Sequence, residues 1–356
     1  MDIMFVSGNP HLPEVVGGIE INTHELATEL GQRGHCVAVL SKLSPRSPSG
    51  LWGVTETALG FDRIRVHRGL GYPVFRARRP WDILAQLPRP SVAVVQNARM
   101  LDFAAGFAEL GVPSVAYLHG LEFESWKPSR HPTADTLPFC GYIANSEYTA
   151  GRFKRVHGRG SVVVPPLFRR NRYATQPQGG DVTFINPVPV KGLDLALAIA
   201  ELCPEIPFAF VLGWPLGARE RHRLKTRIRP LANVRLRKRA GDMRAVYRAT
   251  RILLVPSQWE AETWGRVVSE AQFSGIPVVA SNRGGLPEAV GPGGVIIEHN
   301  APAEVWASTI RNLWRSEVCY KETSCAALRH SQRPLLDPEI QLRSFVSALR
   351  DFSGSQ

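Results

Sequence analysis

The sequence predicts an α/β protein with two doubly wound domains, each a parallel sheet covered by helices on both faces. Short apolar runs alternate with segments of helical period between residues 3 and 297. Within each run the apolar residues are continuous rather than alternating, as in strands buried on both faces of a parallel sheet. The chain has 356 residues, which is long for one core and suits two domains of ordinary size.

Six strands are predicted in the first half of the chain and five in the second. The first six are Ile3–Val6, Val37–Leu40, Val92–Val95, Val115–Leu118, Tyr142–Ala144 and Val162–Val164. The other five are Val182–Ile185, Phe208–Leu212, Ile252–Val255, Val278–Ala280 and Val295–Ile297. Helical segments lie between them, because apolar residues recur there with a helical period.

The domain boundary is predicted within residues 165–181, where prolines, glycines and polar residues cluster and apolar periodicity stops. We therefore place an N-terminal domain at residues 1–168 and a C-terminal domain at residues 169–335. Residues 336–356 contain a last helix that can belong to either domain, including by packing back on the first. Ligands bind beyond the carboxyl ends of the strands in such sheets, so the site is expected in a cleft between two facing domains.

The net charge of +12 permits a nucleic acid, an anionic membrane or a phosphorylated molecule as partner. Much of this charge lies in residues 219–239, where Leu224, Ile228 and Leu231 predict one apolar helix stripe among arginines. A solvated helix face, contact with an anionic membrane and attraction of a phosphorylated acceptor remain open. A nucleic-acid surface is the weakest interpretation, because no aromatic residue is interleaved to hold bases.

The sequence indicates a cytoplasmic protein. The sequence contains no run of about 18 apolar residues, so a membrane-spanning helix is not expected. The first ten residues do not resemble a secretory signal. Five cysteines form no C-x-x-C pair and are expected as buried free thiols in a reducing compartment. The ten histidines show no metal-ligand spacing, and no Asp-x-Asp pair, phosphate loop or H-E-x-x-H motif occurs. We therefore predict no metal and no cofactor.

Three loops that follow predicted strands carry candidate residues. Gly17 and Gly18 begin a helix, where free backbone N–H groups favour an anion, although an ordinary turn is the simpler explanation of the pair. His119 follows a strand. An isolated histidine is more often structural, but a position on the cleft side of two facing sheets favours a functional role instead. Lys191 stands at a strand-to-helix transition, where a lysine suits a diphosphate as well as bulk solvent.

The segment PSQWEAETWGRVVSEAQFSG, residues 256–275, contains three glutamates in an apolar neighbourhood. Glu262 is predicted in a loop and Glu270 on the following helix, so the two can reach different parts of one elongated ligand. A surface salt bridge from Arg266 to Glu270, four residues apart on a helix, is the simpler explanation of Glu270. Glu260 is expected to face solvent.

This segment, with the continuation through residue 290, resembles the signature of glycosyltransferase family 4, the retaining nucleotide-sugar transferases of GT-B fold. The resemblance rests on Pro256-Ser257, the Glu-x7-Glu pair Glu262/Glu270, Gly265, residues 275–281 (GIPVVAS) and residues 284–288 (GGLPE). The segments GGIEINTHELATELGQRGHCVAVL, YLHG and IANSEYTAGRF are similar to motifs of the family's N-terminal domain. The resemblance covers most of the chain, is weakest at residues 43–90, and does not indicate the sugar.

The resemblance implies a GT-B architecture of two Rossmann-like domains and a role for each candidate residue. Glu262 would contact hydroxyls of the donor sugar, Glu270 the ribose, and His119 the sugar near its reacting carbon. Lys191 and the backbone amides at Gly265 to Val267 would bind the diphosphate. The full set of donor-binding residues would be Gly17, Gly18, Asn186, Lys191, Glu262, Gly265, Arg266, Val267 and Glu270. Residues 235–242 would lie near the base.

The chain departs from the family pattern at one position. An arginine commonly stands a few residues before the Lys-Gly pair, in a Gly-Arg dipeptide, where this sequence has Asn186-Pro187. A second cation for the diphosphate is therefore missing locally, and an arginine from elsewhere or Lys191 alone has to serve.

The expected reaction is transfer of a hexose-like sugar from a nucleoside diphosphate, UDP or GDP, to a hydroxyl acceptor. His119, Glu262 and Lys191 are the predicted catalytic residues, retention at the anomeric carbon is expected, and a metal is not required. A nucleotide-sugar epimerase on the same fold and a nucleotide-sugar-binding protein without transfer activity are the alternatives. An epimerase would release no free nucleoside diphosphate. The base, the sugar, the acceptor and the pathway stay open.

Overall fold

A computed structural model describes residues 1–44, 64–126 and 137–354 of the chain. The chain divides into two compact units. The first unit comprises Met1–Leu167 together with Pro338–Gln356, and the second comprises Phe168–Asp337. The two ends of the chain therefore belong to the same unit.

The first unit is built on an eight-stranded sheet with the order β3-β4-β2-β1-β5-β6-β7-β8. The strands are β1 Asp2–Ser7, β2 Cys36–Lys42, β3 Arg65–His67, β4 Val74–Ala77, β5 Val92–Gln96, β6 Ser114–Leu118, β7 Gly141–Ala144 and β8 Val162–Val163. The helices described are α1 Gly18–Gln32, α2 Met100–Glu109 and α3 Glu147–His157. Phe5 and Val94 lie on one face of the sheet, and Met4 and Val95 lie on the other. Each face is buried in its own apolar cluster. The sheet is therefore covered on both faces.

The second unit has a six-stranded parallel sheet with the order β11-β10-β9-β12-β13-β14. Its strands are β9 Asp181–Ile185, β10 Phe208–Val211, β11 Val234–Arg237, β12 Thr250–Val255, β13 Val278–Ser281 and β14 Gly294–Ile297. Its helices are α4 Leu193–Leu202, α5 Ala218–Ile228, α6 Met243–Ala249, α7 Arg266–Gln272, α8 Leu286–Val290, α9 Ala303–Arg315 and α10 Glu317–His330. The strand order reverses between β9 and β12, which is where a doubly wound sheet opens its ligand crevice.

The fold class predicted from the sequence is confirmed, and each of the eleven predicted strands is present. Three further strands, β3, β4 and β11, were missed. They are three or four residues long and carry arginines, so they lack the continuous apolar run of a central strand. β3 pairs antiparallel with β4 at one edge of the first sheet, and the other pairings of the described strands are parallel.

The last helix, α11 Pro338–Ser353, packs on the first unit. Leu342, Phe345 and Leu349 are buried in the same apolar cluster as Phe5 of β1. The Phe345 ring stacks on the Phe5 ring at 6.0 Å between centroids. The chain thus crosses to the second unit at residue 168 and returns at residue 338 to complete the core of the first.

Two expectations about surfaces have different outcomes. The basic helix exists as α5, with Leu224 and Ile228 buried and the arginines around them exposed. The expectation of buried thiols is wrong for Cys36, Cys140 and Cys325, which are exposed free cysteines. It is correct for Cys203, and Cys319 is partly buried. Cys36 begins a strand, Cys140 lies in a loop and Cys325 lies on an exposed helix position. Residue type alone does not predict burial at such positions. Within the described ranges no helix is long and apolar enough to cross a membrane.

Candidate active site

The candidate residues of the second unit lie in loops that follow three neighbouring strands. β9 is central, with β10 on one side and β12 on the other. Because all three strands run parallel, the loops after their carboxyl ends meet at one edge of the sheet. The loop after β9 contains Lys191, the loop after β10 contains Trp214, and the loop after β12 contains Glu262.

Gly192 allows the loop with Lys191 to lie directly against the loop after β12. Its φ of +87° is in the left-handed region, which glycine adopts without a Cβ clash. A Cβ on this residue would lie 1.9 Å from the carbonyl oxygen of Pro256. The two loops are also joined by a hydrogen bond from the Gln258 N–H to the Val190 carbonyl oxygen, 3.0 Å long. Lys191 is therefore fixed one residue away from the point of closest approach.

Glu262 is held from the other side by the segment after β13. The Gly285 N–H donates to the Glu262 carbonyl oxygen at 2.8 Å. At Gly284, with a φ of +57°, a Cβ would lie 2.2 Å from that same oxygen. The Ser281 hydroxyl donates to the Ser257 carbonyl oxygen at 2.6 Å. Gly284 and Gly285, the Gly-Gly pair of the family signature, thus contact the backbone of the Glu262 loop and fix its position.

The structure brings Lys191 and Glu262 together as an ion pair, in which the Lys191 ammonium donates to Glu262 Oε2. The Ser257 hydroxyl also donates to this oxygen, at 3.3 Å. The Lys191 ammonium lies 5.2 Å from the centroid of the Trp214 ring and 4.6 Å from that of Trp259, both within cation–π range. Three loops therefore converge on one ammonium group.

Glu270 lies in a separate buried network. The Tyr247 hydroxyl donates to Glu270 Oε2 at 2.7 Å, and Arg266 Nε lies 3.5 Å from Glu270 Oε1. Arg266 also donates to the Tyr173 hydroxyl at 3.2 Å. Burial and the neighbouring Glu270 carboxylate raise the pKa of Tyr247 well above its usual value, so its hydroxyl stays a donor.

The expectation of a surface salt bridge between Arg266 and Glu270 is wrong in its location. The two side chains are paired as predicted, but they are only 8% and 7% exposed. The four-residue spacing finds partners on one helix face, and it does not distinguish a face in water from one packed inside the domain. In contrast, Glu260 is exposed, as expected.

Asn186 has a structural role where the family pattern has glycine. Its φ of +61° is in the left-handed region, which asparagine tolerates better than most residues. Its side-chain oxygen accepts a 2.6 Å hydrogen bond from the Trp214 N–H, which ties the β9 loop to the β10 loop. Pro187 is buried, so the position of the family's arginine is filled by a ring without charge.

Gly265, Arg266 and Val267 stand at the beginning of α7. Gly265 has a φ of +76° and precedes the helix. The Val268 N–H donates the first hydrogen bond of the helix to the Gly265 carbonyl oxygen. The amides of this turn lie a few residues after Glu262 in the chain. Their contact with a diphosphate remains a prediction.

His119 lies in the first unit at the end of β6 and is 8% exposed. Its Nε2 lies 3.2 Å from the Gln96 side-chain oxygen, and Gln96 donates to the Thr23 hydroxyl at 2.6 Å. Its ring packs on that of Tyr117 at 3.9 Å between centroids. The imidazole is thus positioned by β5, β6 and α1, and its role toward a sugar stays a prediction.

Gly17 and Gly18 form the start of α1, as predicted, with Gly17 in an extended conformation. The Glu20 carboxyl group lies at this helix end, where a Cβ on Gly17 would be 2.6 Å from Glu20 Oε2. Burial raises the pKa of Glu20, against the opposing effect of the backbone N–H groups of Glu20 and Gly17. The chain itself therefore supplies a carboxyl group to this helix start.

Three side chains that shape the site, Trp214, Trp259 and Tyr247, were not among the predicted site residues. Trp259 stands inside the segment 256–275 and was counted there only as part of the apolar neighbourhood of the glutamates, whereas Trp214 and Tyr247 carry no motif. No group of three histidines, cysteines, aspartates or glutamates with metal-binding geometry occurs in the part of the chain that the structure describes. Metal independence stays a prediction.

Two family models match the chain. The model described as Glycosyltransferase Family 4 matches residues 16–168, and the model described as Glycosyl transferases group 1 matches residues 181–316. The first match lies within the first unit except for its last residue, and the second match lies within the second unit.

Curated relatives match over shorter stretches. The D-inositol 3-phosphate glycosyltransferase of Corynebacterium efficiens is 46% identical over 74 residues, 20% of this chain and 17% of the relative. That of Streptomyces bingchenggensis is 31% identical over 161 residues, 41% of this chain and 35% of the relative. That of Segniliparus rotundus is 29% identical over 218 residues, 54% of this chain and 48% of the relative. The chain thus spans less than half the length of each of these relatives.

Solved structures are similar over the whole chain. Anabaena HepE in complex with UDP and glucose has a TM-score of 0.77 at 19% identity, covering 98% of this chain and 99% of that protein. A glycosyltransferase from Rickettsia africae has a TM-score of 0.74 at 15% identity, covering 100% and 99%. Sucrose-phosphate synthase from Thermosynechococcus elongatus has a TM-score of 0.74 at 15% identity, covering 100% of both chains. At such identities the likeness establishes a shared fold.

Proposed function

The chain belongs to the family-4 type of glycosyltransferases with the GT-B fold, and on that premise we propose that it transfers a hexose-like sugar from a nucleoside diphosphate to a hydroxyl group. The observation that carries the proposal is the meeting of Lys191 and Glu262 at the carboxyl edge of the second sheet. A cation suits the diphosphate of a nucleotide sugar, and a carboxylate suits the hydroxyls of its sugar.

We propose that the reaction retains configuration at the anomeric carbon. The bond between that carbon and the diphosphate oxygen breaks, and the diphosphate leaves with the electron pair. The acceptor oxygen forms its bond on the same face, and its proton passes to the departing phosphate. Lys191 stabilises the charge that develops on the diphosphate, which is why the proposed reaction requires no metal. Glu262 orients the sugar, Glu270 holds the ribose, and His119 is proposed to contact the sugar.

A uridine nucleotide is the first donor to test. HepE, which is similar in fold, is described in complex with UDP and with UDP-glucose. The curated relatives are named for transfer to D-inositol 3-phosphate, so a phosphorylated polyol is the first acceptor to test. Both are proposals for this chain, because the matched stretches cover only part of those relatives.

The experiment has two stages. A thermal-shift panel of nucleoside diphosphates and their sugars identifies the donor, since a ligand raises stability by RT ln(1 + [L]/Kd). The donor is then incubated with D-inositol 3-phosphate and other polyols, and free nucleoside diphosphate and glycosylated product are measured. Product with retained configuration supports the proposal. An epimerised donor without free diphosphate would identify an epimerase, and tight donor binding without turnover would identify a binding protein.

We further propose that a basic patch on the second unit contacts anionic membranes. The patch is residues 218–248, comprising α5, β11 and α6, and contains twelve lysines and arginines against two acidic residues. Its net charge of +10 accounts for most of the +12 of the whole chain. Within these residues, all of which the structure describes, no large apolar side chain is exposed. The contact would therefore be electrostatic, without insertion into the lipid.

A further inference from the structure

Lys191 and Glu262 serve different parts of the donor in the proposed function, yet in the structure they bind each other. Both side chains are largely buried, with 13% and 11% exposed, so mobile ions screen the pair less than a surface pair. A diphosphate that approaches Lys191 therefore meets an ammonium group that already has an anionic partner. A sugar that approaches Glu262 meets a carboxylate that already has a cationic one.

Two indole rings hold the ammonium in place independently of Glu262. The Trp214 and Trp259 rings are perpendicular, with an angle of 86° and 6.3 Å between their centroids. The ammonium lies within cation–π distance of each ring, and a lysine has three N–H donors to share among its partners. When the carboxylate releases the ammonium, the two rings still attract it to the same position.

Lys191 is also the only cation of its loop. Residues 186–192 read NPVPVKG, and the buried Pro187 occupies the position where the family pattern has an arginine. Because no second cation in this loop binds the diphosphate, the state of Lys191 determines how strongly the loop attracts it. A contact that occupies Lys191 therefore controls donor binding.

We propose that the Lys191–Glu262 pair is a latch that the donor opens. The diphosphate takes the Lys191 ammonium from Glu262, and the released carboxylate then accepts hydrogen bonds from the sugar hydroxyls. Trp214 and Trp259 are positioning residues that keep the ammonium in place during this exchange. The inference rests on the proposed function, because it assumes that the diphosphate and the sugar bind to these two side chains.

The latch favours the complete donor over the product diphosphate. Either ligand has to separate the ion pair, but only the nucleotide sugar gives the released carboxylate new hydrogen-bond partners. A free nucleoside diphosphate leaves Glu262 without this compensation, and a largely buried charge that loses its partner is unfavourable. The pair therefore weakens product binding and assists release of the nucleoside diphosphate after transfer.

The central experiment measures the affinity for a nucleoside diphosphate without sugar, by isothermal titration calorimetry with UDP, GDP, ADP and dTDP. Glu262→Gln removes the charge that competes for Lys191, so the diphosphate should bind about 5–30-fold more tightly, while sugar transfer falls. Glu260→Gln removes the same charge from an exposed residue two positions away. This control should change the affinity by less than about twofold.

Equal gains in the two variants would mean that the carboxylates act only through the general field, and would reject the latch. Unchanged or weaker binding in Glu262→Gln would reject it as well. A double-mutant cycle adds a second test that depends on coupling. In a Lys191→Met background, Glu262→Gln should no longer raise the affinity, because no ammonium remains to be released. A persisting gain would contradict the proposal.

The tryptophans supply a third test, at an exposed position. Trp259 is 38% exposed, and Trp259→Leu keeps an apolar side chain but removes the ring. Diphosphate affinity should fall about 3–10-fold in Trp259→Leu and largely recover in Trp259→Phe. Equal affinities in the two variants would show that the ring acts only as apolar filling, and would reject its positioning role.

Failure of the latch can be told apart from failure of the proposed function. If the unsubstituted protein binds none of the four nucleoside diphosphates or their sugars, the proposed function is rejected and the latch with it. If it binds one of them, and Glu262→Gln and Glu260→Gln bind it equally well, the latch alone is rejected.

Discussion

Gly192 lies against the carbonyl group of Pro256, so closely that a Cβ on Gly192 would be 1.9 Å from the Pro256 oxygen. The two residues follow different strands of the second sheet, and their contact sets how near Lys191 comes to Glu262. The geometry of the candidate site therefore depends on the absence of one methyl group.

We expect Gly192→Ala to separate the two loops. The substitution combines left-handed backbone strain with a backbone clash, so the free energy of unfolding should fall by about 3 kcal/mol or more. Gly158→Ala is the matched control, because Gly158 has a φ of +66° but nothing within 4 Å of the added Cβ. Its cost should be about 1 kcal/mol, from strain alone. Chemical denaturation measures both, and equal costs would show that the contact with Pro256 relaxes freely.

Lys191→Ala should reduce the stabilisation of the departing diphosphate. Loss of one charge-assisted hydrogen bond corresponds to about 1.5–3 kcal/mol, or a decrease of about 10- to 150-fold in kcat/KM. The measurement is release of nucleoside diphosphate in the presence of acceptor. Lys154→Ala, at an exposed position of α3, is the control and should keep full activity. Unchanged turnover in Lys191→Ala would remove Lys191 from the mechanism.

Tyr247→Phe should destabilise the second unit while removing only one oxygen atom from the side chain. It removes the donor of the 2.7 Å hydrogen bond to Glu270, and the carboxylate stays buried with one partner fewer. We expect the free energy of unfolding to decrease by about 1–3 kcal/mol. Tyr320→Phe, in a partly buried tyrosine whose ring lies under Arg251, is the control. A Tyr247→Phe protein as stable as the control would show that solvent replaces the hydroxyl.

His11 should make stability depend on pH below neutrality. Burial, with Arg76 and His24 adding to it, lowers the pKa of His11 from 6.5 to about 3. The folded state therefore binds fewer protons than the unfolded state between pH 3 and pH 6.5. The contribution of His11 is present above pH 6.5 and is lost as the pH falls. Between pH 7.5 and pH 5.5 the loss should be about 1.4 kcal/mol.

The check compares unfolding free energies at these two pH values in the original protein and in His11→Gln. A glutamine cannot titrate, and its amide can still reach the Tyr72 hydroxyl, which lies 3.0 Å from His11 Nε2. Titrating groups that do not interact with His11 contribute equally to both proteins and cancel in the difference. The same pH dependence in the two proteins would contradict the assignment to His11.

The basic patch at residues 218–248 should bind vesicles that contain anionic lipid. Flotation with phosphatidylglycerol vesicles is expected to carry the protein upward at low salt, and about 0.5 M salt should abolish binding because it screens the charges. Arg221→Glu with Lys225→Glu, on the exposed face of α5, should prevent flotation. The control variant, Arg343→Glu with Arg350→Glu on α11, changes the net charge by the same amount outside the patch and should still float. Equal flotation on neutral and anionic vesicles would refute the membrane proposal.

The sequence determined most of the fold, because strands buried on both faces must be apolar at every position. Eleven such runs predicted eleven strands of the two sheets, and the loops after them contain the candidate residues. β3, β4 and β11 were missed because short strands with arginines lack that constraint. The residue pattern of the segment 256–275 likewise predicted Glu262 in a loop and Glu270 on a helix, which is where they lie.

Only the tertiary structure decided which of these side chains meet. Lys191 and Glu262 are 71 residues apart, and Trp214 joins them from a third loop. The spacing of Arg266 and Glu270 predicted their pairing but not their burial beside Tyr247. Spacing along one helix fixes neighbours within that helix, because its geometry is regular. Contacts between loops depend instead on which strands lie side by side, and β10, β9 and β12 become neighbours only when the sheet forms.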